Sequence, residues 1–302
     1  MSRILLAFLL ACTSLLVQAD PEPTIYGRGA NRFVLATGSP GELGLLKVLA
    51  EKFADNNDAQ MLWIKAGTGQ SLNLLRDKKV DMVMVHAPAQ VDKALKDGWA
   101  TGKTLIGSNE FYIVGPKTDP AKIASAVSVA DAYRRIAAAQ SPFVSRGDNS
   151  GTHQKEMAVW KQAGIDPAGA WYIVTKDFMT ASLARANSES AYFMSDSSTW
   201  IMEKNVAPDL MIHFRGDRFL INTYHAIVAP PGATEGRDTA KKFVEFVASG
   251  EGQEIIAQYG QSAFGEGLYN DAAYAKEFDK AAGGWFSLPQ HQATSDVRLP
   301  IE

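Results

Sequence analysis

The sequence predicts an α/β protein built on mostly parallel sheets. Short apolar runs of strand length alternate with segments of helical spacing along nearly the whole chain. Some runs, such as Asp81-Met82-Val83-Met84-Val85, carry few polar residues, as a strand buried on both faces requires. The joint between a strand and the next helix is repeatedly a Gly/Ser/Thr turn. Strand-turn-helix units put such turns at the carboxyl edge of the sheet, where open α/β folds bind ligands.

The elements follow in order. Asp20 to Asn31 holds Pro21, Pro23, Gly27 and Gly29 and reads as a loose leader. Arg32 to Thr37 is a strand ending in the turn Gly38-Ser39-Pro40-Gly41, and Leu43, Leu45, Leu46, Val48, Leu49 and Phe53 mark a helix. Gln60 to Lys65 is the next strand, Gly67 to Ser71 a turn, and Leu72 to Arg76 the start of a helix. Asp81 to Val85 is a strand closed by His86-Ala87-Pro88, with a helix over Val91 to Lys96. Phe111 to Pro116 is a strand and Val129 to Ala139 a helix. Pro142 to Val144 runs as a strand into Ser145 to Thr152, followed by a helix over His153 to Gln162. Trp171 to Val174 and Ala191 to Met194 are strands, each with a helix behind it, at Thr180 to Ala186 and Ser198 to Glu203. Met211 to Phe214 and Tyr224 to Val228 are strands, and Asp238 to Ala248 and Gly252 to Tyr259 are helices. The tail from Asn270 is polar and reads as helix and loop.

The first residues carry an address. Met1-Ser2-Arg3 is short and basic, the 14 residues Ile4 to Val17 are almost wholly apolar, and Val17 and Ala19 fit a small-residue cleavage pattern. Residues 1–19 therefore read as a signal peptide, because a spanning helix needs ~20 apolar residues. The single cysteine, Cys12, lies inside this segment. It is either the acylated residue of a lipoprotein box or part of a peptide removed after Ala19. Cleavage is preferred, because apolar sequence continues past Cys12. The mature chain then has no cysteine, which excludes disulfides, Cys-ligated zinc and thiol catalysis. An exported protein of this kind suggests a bacterial periplasm.

The 302 residues hold 30 Lys+Arg and 33 Asp+Glu, a formal charge of −3. A basic excess, the usual mark of a nucleic-acid partner, is missing.

Three turns share one chemistry: Thr37-Gly38-Ser39, Gly67 to Ser71, and Arg146 to Thr152. Each joins hydroxyls and small residues to a helix N-terminus, whose free N–H groups and partial positive charge attract anions. Arg146 adds a permanent charge and a donor fork. Taken singly, each turn reads first as an ordinary helix cap; the three together, one with an arginine, raise the case for a ligand. Gly67-Thr68-Gly69 lacks the spacing of a dinucleotide fingerprint and the Lys of a P-loop.

No reactive constellation stands out, so the chain is not expected to be an enzyme and no cofactor is expected. His86, His153, His213, His225 and His291 form no metal-binding spacing. A G-x-S-x-G elbow is missing. His86 either lines a cleft or supports its loop, and His153 reads as a packing residue between helices. Asp148 reads as a brace for Arg146 or for its own turn.

Ala66-Gly67-Thr68-Gly69-Gln70, Val85-His86-Ala87-Pro88, Phe111 to Pro116, and Phe143-Val144-Ser145-Arg146-Gly147-Asp148-Asn149-Ser150-Gly151-Thr152-His153 are similar, in this order, to segments of the periplasmic tungstate-binding proteins of ABC transporters. Trp171-Tyr172-Ile173 and Ala191 to Trp200 fit as well. The resemblance spans Arg32 to Pro231, and Ser145 to His153 is its most specific part. It implies a two-lobed type II periplasmic binding-protein fold with a cleft between the lobes and a two-strand hinge. Lobe one would hold 20–113 and 226–302, lobe two 114–225, with the hinge near Val114 to Lys117 and Asn222 to Ala226. It also implies capture of an oxyanion, tungstate first, for an ABC permease of the inner membrane. Thr37, Ser39, Thr68, Gly69, Arg146, Ser150 and Thr152 would be the ligand-binding residues, with hydroxyls and N–H groups on the oxygens and charge from Arg146. Tungstate would enter as an oxyanion, with no metal cation ligated by the protein.

Two departures from the family pattern stand out. Thr37-Gly38-Ser39-Pro40-Gly41-Glu42 replaces a Thr-rich run, and Lys176-Asp177-Phe178-Met179-Thr180 replaces a small Gly-rich turn. Pro40 cannot donate a backbone hydrogen bond. Glu42 is unfavourable beside an anion unless it pairs or points away. Phe178 and Met179 either shape a pocket for a ligand with an apolar portion or belong to the core, and Lys176 reads as solvated. A second reading follows: a ligand-responsive sensor subunit that binds a small anion or organic acid and docks on a membrane signalling receptor.

Overall fold

Among the described residues the apolar runs become ten strands: β1 (Thr24–Gly27), β2 (Asn31–Thr37), β3 (Ala59–Lys65), β4 (Met82–Val85), β5 (Thr101–Pro116), β6 (Phe143–Ser145), β7 (Tyr172–Val174), β8 (Tyr192–Asp196), β9 (Leu210–Phe214) and β10 (Ile221–Val228). The computed structural model describes residues 22–282. The signal-peptide segment 1–19, with Cys12, and His291 lie outside the described residues. No helix among the described residues is long and apolar enough to cross a membrane.

The strands run side by side in the order β1-β3-β2-β4-β10-β5-β8-β6-β7, with β9 also paired to β5. β2, β3 and β4 are parallel to one another, as are β6, β7 and β8. β10 lies antiparallel between β4 and β5. The 16-residue β5 belongs to two sheets. Residues 101–110 pair with β10 in the first, and Phe111–Val114 pair with β8 in the second. The crossing therefore falls between Glu110 and Phe111, earlier than the expected Val114 to Lys117. Phe111 and Ile113 are fully buried in the core of the second sheet, and that burial decides which sheet they join. The return crossing sits beside it, where Ile221 faces Glu110.

Each sheet is covered by helices whose apolar faces form its core. In the helix Leu45–Asn57, Leu45, Leu46, Leu49 and Phe53 turn inward at three- and four-residue spacing. Each such side chain contributes about 1.5–3 kcal/mol on burial. Phe33, Phe53 and Phe243 meet with ring centroids 5.3–6.1 Å apart, joining β2 to the helices Leu45–Asn57 and Arg237–Val247. The second sheet has its own aromatic centre, with Trp160 4.3 Å from Tyr133 and 5.2 Å from Phe143.

Three local readings are corrected. The loose leader contains β1, an edge strand in which Thr24–Gly27 pairs antiparallel with β3; its few β-forming residues gain hydrogen bonds only through that long-range pairing. Residues 101–110 carry no strand in the sequence reading, because Lys103, Ser108, Asn109 and Glu110 obscure the alternation. The turn at Gly67 to Ser71 is already helix from Thr68, with Gly67 as the extended residue before it.

Candidate functional site

The carboxyl ends of the parallel strands of both sheets meet in one cleft. Its lining includes Thr37, Gly38, Ser39, Glu42, Gly67, Thr68, His86, Arg146, Ser150, Phe178 and Tyr224. β2, β3 and β4 of the first sheet deliver the residues up to His86, and β6 and β7 of the second lead into Arg146, Ser150 and Phe178.

Two helix N-termini face each other across it. The helix Thr68–Arg76 starts after Gly67, and the helix Gly151–Ala163 starts after Ser150. A Cβ on Gly67 would lie 3.5 Å from Ser150 Cβ, and one on Gly69 only 2.8 Å from Asn149 Nδ2. Gly69 therefore allows the two loops to touch. The amides of Thr68, Gly69, Gly151 and Thr152 have no acceptor among the described residues. Two sets of free N–H groups and two positive dipole ends thus bound one small space.

The loop before the second helix is internally braced. Gly147 and Asn149 take positive φ, 60° and 57°, which folds the chain back so that Asp148 accepts from Ser150 N at 3.1 Å. Ser150 Oγ accepts from His153 N at 3.3 Å, capping the helix. Arg146 is only 4% exposed. Its Nη2 donates to Asp148 at 2.5 Å and its Nε to the Asp177 carbonyl at 3.0 Å. Nη1 has no acceptor among the described residues. Asp148 thus braces both Arg146 and its own turn.

The expected ligand residues divide. Thr37, Ser39, Thr68, Arg146 and Ser150 line the cleft. The Ser39 and Thr68 hydroxyls have no protein partner among the described residues. Thr37 does not present a free proton, because its Oγ1 donates to the Met84 carbonyl at 2.8 Å. Gly69 lies beside the cleft, against Asn149. Thr152 departs from expectation in its side chain, whose hydroxyl turns away to Met179 Sδ at 3.5 Å; only its backbone amide remains at the helix end.

The two departures from the family pattern resolve locally. Glu42 pairs with Lys65 at 2.6 Å, so its charge is matched. The Lys65 ammonium also lies 4.2 Å from the centre of the Phe178 ring, and the Arg146 guanidinium 5.5 Å from it. Phe178 is therefore a wall of the cleft, whereas Met179 is buried in the core. Lys176 is exposed.

His86 lines the cleft and stacks on Tyr224, with ring centroids 4.9 Å apart. Burial is the main cause that holds its pKa down at about 4, so the ring is neutral at neutral pH. His153 accepts from Asn149 N through Nδ1 at 3.0 Å, and partial burial lowers its pKa. It supports the loop. Lys155, one turn into the helix, donates to the carbonyls of Phe219 and Ile221 at 2.7 and 3.2 Å. The loop is thereby tied to the start of β10.

Sequence reasoning missed Lys65, Tyr224 and Lys155. In sequence, Lys65 and Tyr224 read simply as strand residues. The only local signal is a basic residue at a strand's carboxyl end, just before a Gly-rich turn. Among the described residues no group of three or more His, Asp or Glu side chains could hold a metal ion.

The comparisons with known proteins agree with this architecture. Residues 21–251 match the family described as a PBP superfamily domain. The tungstate-binding protein TupA of Peptoclostridium acidaminophilum is 30% identical over 271 residues, 87% of this chain and 94% of the relative. The structure of the tungstate ABC transporter from Geobacter sulfurreducens superposes with a TM-score of 0.70 at 37% identity, covering 77% of this chain and all of that one. The tungstate-binding protein TupA from Desulfovibrio alaskensis G20 gives a TM-score of 0.67 at 34% identity, covering 80% of this chain and 99% of its own. With two α/β sheets joined through β5 and β10 and a polar cleft where their carboxyl edges meet, the chain belongs to the PBP superfamily and has the type II periplasmic binding-protein fold.

Proposed function

We propose that this protein is a periplasmic solute-binding protein that captures tungstate and delivers it to an ABC permease of the inner membrane. The observation that carries the reading is the convergence of two helix N-termini and the buried Arg146 on one cleft. A tetrahedral oxyanion needs many short donors from several directions. The free amides at Thr68, Gly69, Gly151 and Thr152, the hydroxyls of Ser39, Thr68 and Ser150, and Arg146 Nη1 offer them. Relatives that carry the tungstate name cover most of this chain. The signal-peptide pattern of residues 1–19 supports export. The strands that cross between the sheets, near Glu110–Phe111 and before Ile221, would serve as the hinge, and contacts from both sides of the cleft would favour the closed form.

Calorimetric titration of tungstate, molybdate, sulfate, phosphate and small carboxylates tests this. Tungstate should bind tightly, and Arg146→Ala should weaken it on the order of a hundredfold, because one charged partner of a buried contact is lost. Unchanged affinity in Arg146→Ala would remove that residue's role. A response only to an organic acid would turn the site to another ligand and favour the sensor reading.

A further inference from the structure

A chain of hydrogen bonds runs from the cleft through both crossing strands. His86 Nδ1 lies 2.9 Å from Asn222 Oδ1. Asn222 Nδ2 donates to Asn109 Oδ1 at 2.7 Å. Asn109 Nδ2 donates to Asp196 Oδ1 at 3.2 Å and to Ser198 Oγ at 2.6 Å. Asp196 accepts further bonds from Ser198 Oγ, Thr199 N and Thr199 Oγ1 at 2.7–2.9 Å. Asn109 and Asn222 are register partners on β5 and β10, and each is about 1% exposed.

The chain has a direction. A carboxylate accepts only, so Asn109 must turn its amide nitrogen to Asp196. That leaves Asn109 Oδ1 to accept from Asn222, and Asn222 Oδ1 to accept from His86. The neutral imidazole is thus held with its proton on Nδ1, and Nε2 keeps a lone pair. No hydrogen bond to Nε2 occurs among the described residues.

A lone pair on the cleft wall repels an oxyanion. The other charges of the cleft already cancel in pairs, Arg146 with Asp148 and Lys65 with Glu42, so a dianion enters without a full counter-charge. We propose that His86 takes a proton from bulk water onto Nε2 when the anion enters, so that each captured anion brings one proton with it. Nδ1–H stays on Asn222, and the new Nε2–H becomes a donor toward the ligand. The inference rests on the anion-binding reading above.

The surroundings of the ring support it. Tyr224 of β10 stacks on one side, Phe111 of β5 lies 6.3 Å away, and a Cβ on Gly151 would fall 2.3 Å from Cε1. Asp196 favours the charged ring, while Arg146 and Lys155 oppose it. Burial is the larger influence and keeps the ring neutral until an anion is present. A dianion beside the ring reverses that balance.

Titrating tungstate into the protein, in buffers of different ionisation enthalpy, counts protons directly. The expected result is uptake approaching one proton per tungstate near neutral pH. Affinity should fall by up to about tenfold per pH unit above the free-ring pKa. His86→Gln should remove the uptake and flatten that slope. The imidazole ¹⁵N spectrum of the unaltered protein gives a second readout that needs no variant: Nδ1–H neutral without tungstate, both nitrogens protonated with it. Tungstate binding with no proton uptake, or an imidazole that stays neutral in the complex, overturns the proposal. Uptake that persists in His86→Gln overturns it too. Absence of tungstate binding removes the anion-binding reading together with this one.

Discussion

Gly151 illustrates how much one missing methyl group decides. Its Cα faces the flat side of His86, and a Cβ there would fall 2.3–2.6 Å from three ring atoms, a separation no packed carbon tolerates. Gly151→Ala should therefore push the imidazole out of register with Asn222 or push the helix start back from the cleft. The expected outcome is a protein that folds but binds tungstate at least tenfold more weakly, measured by calorimetry beside circular dichroism. Unchanged affinity would show that the ring can yield without cost. The turn after Arg146 is legible in the sequence because its main constraints are local: Gly147 for the bend, Asp148 for the brace, Ser150 for the cap; the bond from Arg146 to the Asp177 carbonyl, 31 residues on, is not. Neither is Lys65. Its partners Glu42 and Phe178 lie far away in sequence, and nothing near residue 65 announces either. The same distance hid the tautomer of His86, which is set by Asn222, 136 residues on. The side chain of Thr152 departs from expectation for a related reason. Its hydroxyl could turn to the cleft or to the core, and Met179 settles the matter from across the fold.

At the scale of elements, the existence of the helices is the most readable feature, although several begin one to four residues before the expected start, and strands ordered only by their neighbours are the least. The helix Val129–Ala138 begins at Ser128, whose Oγ accepts from Asp131 N at 3.1 Å. Ser128→Ala should cost about 1 kcal/mol in denaturant unfolding and leave tungstate affinity unchanged, since this helix supplies no residue to the cleft lining. A comparable stability loss together with weaker binding would mean that the helix helps position the site. Apolar periodicity located the helices because each needs only its own inward face. β1 and the first half of β5 escaped because their order comes from neighbours, β3 for the one and β10 for the other. Pairing of that kind has no local signature when the residues are polar.

For the whole molecule, the sheets meet with the cleft shut: the Gly67–Gly69 turn touches Asn149 and Ser150. Paired free helix ends repel one another without an anion between them. The ligand-free protein in solution should therefore sample a more open form. Small-angle scattering should show a larger radius of gyration without tungstate than with it. Equal radii would mean that the sheets are fixed as they stand. The alternation of strands and helices made the α/β class legible. The junction of the sheets is not legible to the residue, because a single strand serving two sheets has no break in sequence where its partners change.

That shared strand has a consequence for the order in which the molecule can be made. β10 sits between β4 and β5, yet it is the last of the described strands to leave the ribosome, after every strand of the second sheet. Until residue 221 emerges, β4 and the first half of β5 have no strand between them, and their facing edges stay open. The first half of the chain therefore cannot complete its own sheet until β10 has emerged. A nascent chain cut short between β5 and β10 carries a pair of unfinished edges, prone to pairing with other chains.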